Sequence, residues 1–298
     1  MSTLARDVDT VDTRQVRRNF SHAAAGYDAV AVLQREVASR MLERLDYVKI
    51  EPERILDLGC GTGFSLTALA ERYPKSQLVG ADLSEAMLRA GRGERSRVHR
   101  VLPFLRSRKS ALVAADALAL PFAANTQSML WSNLMLHWLA DVQPALREMH
   151  RVLAVEGLLM FSTFGPDTLK ELRASFSDGY AHTQRFVDMH DYGDMLLDCG
   201  FADPVMDMEV LTMTYPTFDD LLRELRQAGA GCAMHARRHG LTGRATWSAA
   251  RANYERLARD GRLPATFEVV YGHAWKAAPK KTADGAAIVR FDPKQRLR

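Results

Sequence analysis

A doubly wound α/β fold is predicted by three features of the sequence. An apolar segment runs straight into alternating glycines and then a helical pattern, Ile55-Leu56-Asp57-Leu58-Gly59-Cys60-Gly61-Thr62-Gly63-Phe64. Strand-like and helical runs then alternate, the order that builds a mainly parallel sheet, and two strand-like runs near the end suggest an antiparallel final pair. Four successive strand-like runs finish on or near a polar residue, Asp57, Asp82, Asp116 and Asn133. Open parallel sheets bind ligands at the carboxyl ends of their strands, so the series predicts one lined crevice.

The elements follow in order. Residues 13–25 carry Arg14, Arg17 and Arg18 beside Val16 and Phe20, a short basic helix broken at Gly26. Asp28 is expected to cap a second helix, whose Val30, Leu33, Val37, Met41 and Leu45 recur at helical spacing as one buried stripe. Tyr27 lies in the break between the two, where a lid over the glycine loop would hinge. After the loop, residues 78–82 read as strand two, and Ser84 caps a helix through Met87. Residues 111–116 and 128–133 read as strands three and four, 142–153 as an amphipathic helix, and 157–163 as strand five.

Residues 169–176 then look helical, and 177–186 form a polar loop ending in Gln184-Arg185-Phe186. Asp188 caps a helix finishing at Cys199-Gly200, and 206–215 alternates as strand six. Thr217 and Asp220 resemble a capping box for the next helix. Another helix spans 245–259, and 267–275 is the last strand. Residues 13–276 are thus expected to form one domain, with 13–50 as a helical lid and 217–262 as a helical insertion before the last strand. The segments 1–12 and 277–298, the second of them basic, are expected to lack fixed structure.

Composition narrows the function classes. A chain of 298 residues with 47% hydrophobic content can bury a full core. Its three cysteines, Cys60, Cys199 and Cys232, have no metal-ligand or disulfide spacing, which points to a reducing compartment, the cytoplasm, and to no metal site. No apolar run approaches the roughly 18 residues of a membrane span. The net charge of +4 is too small to imply nucleic acid by itself, and its placement matters more. Arg92, Arg95, Arg97, Arg100, Arg106 and Arg108 are opposed only by Glu94, so this stretch is either a solvated face or a docking surface for an acidic partner.

The glycines let the chain take positive φ and bring bare backbone against a ligand. A dinucleotide fingerprint would place its third glycine where Phe64 stands. Asp82 nevertheless follows at the distance expected of a ribose ligand, so the pair suggests an adenosine-bearing ligand without a pyrophosphate. Cys60 reads as a small loop residue rather than a nucleophile, since no basic partner lies near it in sequence.

Asp57 to Gly63, with Gly80-Ala81-Asp82-Leu83-Ser84 and Ala115-Asp116-Ala117, resembles the S-adenosylmethionine-dependent class I methyltransferases. The resemblance implies their Rossmann-like seven-stranded sheet with helices on both faces. Phe20-Ser21-His22-Ala23-Ala24-Ala25-Gly26-Tyr27-Asp28 and Trp131-Ser132-Asn133-Leu134 through His137-Trp138 resemble, within them, the malonyl-acyl-carrier-protein O-methyltransferases of biotin synthesis. The resemblance implies S-adenosylmethionine as cofactor, with Asp82 on the ribose hydroxyls, Asp116 on the adenine amino group beside Ala117, and Gly59, Cys60, Gly61 and Gly63 under the methionine end. Asp57, Leu83, Met87 and Asn133 join the cofactor set, with Asn133 toward the amino-acid end.

The implied partner is an acyl carrier protein bearing a malonyl group. A malonyl carboxylate is ionised at neutral pH and needs no general base, so catalysis becomes alignment. Tyr27 as orienting donor, Arg185 as cation and His137 as pocket wall are the expected acceptor-side residues. A related non-methylating branch that hydroxylates an arginine shares much of the pattern; a methyltransferase acting on another small carboxylate, or an RNA methyltransferase using the basic stretch, are further alternatives.

Overall fold

The computed structural model describes residues 10–92 and 110–278. The apolar run before the glycines forms β1 (Arg54–Leu58), followed by β2 (Gln77–Asp82), β3 (Ala111–Ala114), β4 (Gln127–Asn133), β5 (Leu153–Phe164), β6 (Phe201–Tyr215) and β7 (Leu263–Lys276). They make one sheet in the order β3-β2-β1-β4-β5-β7-β6. The first five pair in parallel, and β7 runs antiparallel between β5 and β6. Strand order reverses between β1 and β4, which opens a crevice at their carboxyl ends.

Successive strand residues face opposite sides, so each central strand feeds two cores. Ile55, Met129, Trp131, Leu158 and Met160 pack on one side; Leu56, Leu130, Leu159 and Phe161 pack on the other. The first side is covered by α3 (Val32–Arg44) and α4 (Phe64–Arg72), through Val37, Met41, Leu66 and Leu69. The second is covered by α6 (Val142–Val152) and α8 (Met189–Asp198), through Leu146, Met149, Tyr192 and Leu196. The remaining helices gather near the sheet's carboxyl edge: α1 (Thr13–Ala23), α2 (Tyr27–Val30), helical residues 85–92 (α5), α7 (Lys170–Ser175), α9 (Phe218–Gln227) and α10 (Arg244–Glu255).

Asp188 and Thr217 cap α8 and α9 as expected, accepting from His190 N and Asp220 N. Asp28 does not cap. Helix α2 starts at Tyr27, stops at Ala31 and resumes as α3, while the Asp28 carboxylate accepts from the Thr62 hydroxyl at 2.6 Å. The helix already begins at Tyr27, so Asp28 stands inside its first turn rather than at the cap.

Strands β6 and β7 are each longer than the alternation of the sequence suggests, because they pair with each other from Phe201–Lys276 to Tyr215–Leu263, past a register shift between Ala202 and Val205. Residues 10–12 also belong to the fold. Val11 is buried and bridges Met234, and Asp12 caps α1. Residues 1–9, most of the basic stretch and nearly all of the C-terminal segment lie outside the described residues. Among the described residues, no helix is long and apolar enough to cross a membrane.

Candidate active site at the carboxyl edge of the sheet

The glycine loop is fastened to β2. Gly59 N and Cys60 N both donate to Ala81 O, at 2.8 and 3.0 Å, and Gly61 N donates to Asp82 Oδ2 at 2.8 Å. Ser84 N donates to the other carboxylate oxygen at 2.7 Å. Gly59 has φ +75°, and a Cβ there would lie 2.4 Å from Met135 Cγ, so only glycine fits beneath the β4 exit loop. Burial raises the Asp82 carboxyl above its ordinary range, while the Ser84 and Gly61 N–H groups favour its charge.

A cleft of about 1090 Å³ opens over this edge. Tyr27, Gly59, Gly61, Asp82, Leu83, Met87, Asp116, Ala117, Asn133 and His137 all line it, as the sequence predicts. Asp57 and Cys60 line an adjoining groove that shares Tyr27, Gly59, Gly61 and Asn133 with the cleft. Gly63 lines neither; with φ +84° and its N–H on Cys60 O at 2.7 Å, it shapes the turn. Asn133 has both ends of its amide engaged, Nδ2 donating to Gln34 O at 3.0 Å and Oδ1 accepting from the Ser162 hydroxyl at 2.7 Å. It therefore ties α3 to β5 at the cleft wall.

The residues present fit S-adenosylmethionine. The cleft offers carboxylates at the ends of β2 and β3 for hydroxyls and an amino group, with apolar Leu83, Met87, Ala117 and Leu118 to flank a flat ring. Among the described residues, no arginine or lysine lines it to balance a phosphate, and Asp82 already occupies the loop amide of Gly61.

In the cleft wall, the Tyr27 hydroxyl is kept protonated, its pKa pushed up by burial and then by Asp82 and Asp28. His137 is buried, and desolvation pushes its pKa down to about 3, so the ring is neutral. Its Nδ1 lies 3.4 Å from the Thr163 hydroxyl, which lies 3.3 Å from the Tyr192 hydroxyl. The Thr163 hydroxyl can donate to Nδ1 or accept from it, and the ring tautomer follows that choice. The ring packs 5.0 Å from Trp138 and 4.8 Å from Phe164.

Arg185 is not brought to this end. It is exposed and lines neither this cleft nor the one beyond it, whereas its neighbours Gln184 and Phe186 line the second. A loop of mixed polarity buries its apolar and amide side chains and turns the guanidinium outward. Arg92 donates to Leu112 O at 2.7 Å, tying α5 to β3. Arg95, Arg97, Arg100, Arg106 and Arg108 lie outside the described residues.

Several lining residues escaped the sequence reading. Thr13, Val16 and Phe20 of α1, Gln34 of α3, Met135 and Leu139 after β4, Phe164 at the end of β5, and Ala228 and Ala230 of the insertion close the cleft. They come from segments far apart in the chain. Phe20 carried the one available signal, its place beside the Tyr27 motif, and it packs edge-on to Trp138 at 5.2 Å.

A family model described as a methyltransferase domain matches residues 56–161. The chain is 51% identical to a malonyl-acyl-carrier-protein O-methyltransferase of Gallionella capsiferriformans, covering 94% of this chain and 96% of that protein. It is 44% identical to one of Legionella pneumophila, over 91% and 93%. Among solved structures, the YcgJ protein of Bacillus subtilis aligns with a TM-score of 0.57 at 12% identity, covering 82% of this chain and all of that one. The cyclase SpnF aligns at 0.50 and 21%, covering 82% and 81%. Likeness at that level shows the fold alone, and a cyclase among its holders means that the reaction must be read from the site.

Proposed function

The chain belongs to the malonyl-acyl-carrier-protein O-methyltransferase family, and from that membership we propose that it methylates the free carboxylate of a malonyl thioester borne on an acyl carrier protein. One observation carries the acceptor. The match to the Gallionella relative spans 94% of the chain, so it takes in the lid and the insertion that wall the acceptor side as well as the cofactor half. On this reading the methyl ester masks the charge of the short acyl group, the step that opens pimeloyl assembly for biotin, in the cytoplasm.

S-adenosylmethionine, when bound, would supply an electrophilic methyl to the carboxylate oxygen, with the S–C electron pair leaving on sulfur. The protein's part is to hold, orient and dry. Asp82 and Asp116 would hold the two polar ends of the adenosine, and the loop from Gly59 to Gly63 would hold the methionine end. The Tyr27 hydroxyl and the neutral His137 ring are the polar groups that orient the carboxylate. Neutral groups suit an acceptor that is already ionised, because it needs alignment and no proton removal. A ring titrating near pH 3 cannot act as base at neutral pH in any case. Phe20, Trp138 and Phe164 exclude water, so the anion reacts with little of its hydration shell.

The test incubates the protein with S-adenosylmethionine and the malonyl-loaded carrier, then weighs the intact carrier. A gain of one methyl that mild alkali removes as an ester is expected. An unchanged carrier alongside tight cofactor binding would overturn the proposal.

A further inference from the structure

A second cleft, of about 850 Å³, lies beyond the first and meets it at His137, Trp138, Phe164 and Ala230, which line both. Its far wall comes from α7, α9 and α10. The surface is aromatic: the His182 ring stacks on Phe176 at 3.5 Å, and Trp247 sits 6.0 Å from Phe176. Polar side chains in the wall are already engaged within the protein. Gln184 donates to Gly231 O and accepts from Ala233 N, both at 3.1 Å, the Thr168 hydroxyl donates to Glu268 O at 3.1 Å, and His182 Nε2 pairs with Asp178 at 2.8 Å.

Arg226 is the exception. On α9, Asp219 pairs with Arg251 at 2.7 Å, Asp220 with Arg223 at 2.5 Å, and Glu224 accepts from the Tyr215 hydroxyl at 2.8 Å. The Arg226 guanidinium has no hydrogen-bond or ion-pair partner among the described residues, yet it lines the cleft and is exposed at its mouth. The second cleft therefore meets the first at the His137 junction, its lining is mostly apolar, and an exposed, unpaired cation that does not line the first cleft stands in its wall. A purely apolar ligand leaves that cation unused.

We propose that the second cleft takes the arm that tethers the acceptor: a thioester chain that delivers its carboxylate to the His137 junction and carries a phosphate ester, bound by Arg226, at its far end. The inference rests on the malonyl-thioester reading above. Methylenes of the arm lie against the aromatic walls, and the planar guanidinium takes two phosphate oxygens at once.

The test compares two malonyl thioesters, the full carrier-bound one and one on a short N-acetylcysteamine arm that lacks the phosphate. Arg226→Glu, an exposed substitution, is expected to raise KM for the first about tenfold and to leave the second unchanged. Leu222→Trp, which fills the second cleft, is expected to abolish transfer to the full-length acceptor while S-adenosylhomocysteine binds as in the wild type. Equal effects of Arg226→Glu on both acceptors, or no effect on either, would overturn the proposal while leaving the malonyl reading intact. Failure of the wild type to methylate either thioester would bring down both.

Discussion

Asp82 does two things with one carboxylate. Its oxygens accept from Gly61 N and Ser84 N, and each has a second lone pair for a ribose hydroxyl. Asp82→Asn replaces one acceptor oxygen with a donor that faces a backbone N–H. It is expected to weaken S-adenosylhomocysteine binding about tenfold to a hundredfold by calorimetry, and unchanged affinity would contradict the assignment. His137 gives a pH prediction. The ring is neutral in the fold down to about pH 3 and titrates near 6.5 once unfolded, so between those values the unfolded chain binds more protons. Stability therefore falls as pH falls from about 6.5, by up to roughly 2 to 3 kcal/mol at about pH 4.5. The variant His137→Phe should lose less over the same interval in urea melts, and an identical loss would contradict a neutral buried ring. Arg185, exposed and outside both clefts, should tolerate replacement by alanine with kcat/KM within about threefold of the wild type. The carboxylates that end β2 and β3 were legible because the residue at a strand's carboxyl end has a fixed place in this architecture. Arg185 was not, because a loop's side-chain directions depend on what it packs against.

Helices α1 and α2 are held to the ligand loop by side chains rather than by a shared core. Asp28 binds Thr62, Ser21 and Ser84 hydroxyls lie 3.1 Å apart, and Asn19 Nδ2 donates to Gly231 O in the insertion at 3.1 Å. The lid thus bridges the loop on one side and the insertion on the other. Removing one such tie, Asp28→Ala, should raise KM for S-adenosylmethionine about fivefold and speed amide exchange over residues 13–30. Exchange unchanged there would contradict the tie. Gly91 sets a second contact with the same loop, since a Cβ on it would lie 2.0 Å from Thr62 O, a backbone atom. Gly91→Ala must therefore push α5 away from the loop and weaken cofactor binding without touching the cofactor. The break at Ala31 was hidden because Leu33, Val37, Met41 and Leu45 keep helical spacing up to it, and nothing local marks a helix interrupted to send Asp28 elsewhere.

Across the whole molecule, donor and acceptor sides are built differently. The donor side sits on consecutive β-strand ends, each marked by its own residue, so a single pass along the chain could assemble it. The acceptor side is made by the first helix, the β4 and β5 exits and the insertion, which meet only when the antiparallel pair β6–β7 folds the insertion back over the sheet edge. No spacing in the sequence reports that meeting, and so the second cleft and Arg226 went unseen while the cofactor loop did not. The two sides join at His137 and Trp138, which line both clefts, and the buried His137 ring is neutral there. On the proposed function the acceptor carries a free carboxylate. The most direct measurement is steady-state release of S-adenosylhomocysteine with the carrier protein loaded with malonyl or with acetyl groups. The account predicts turnover with the malonyl carrier and none above background with the acetyl carrier, and equal turnover with both would contradict it.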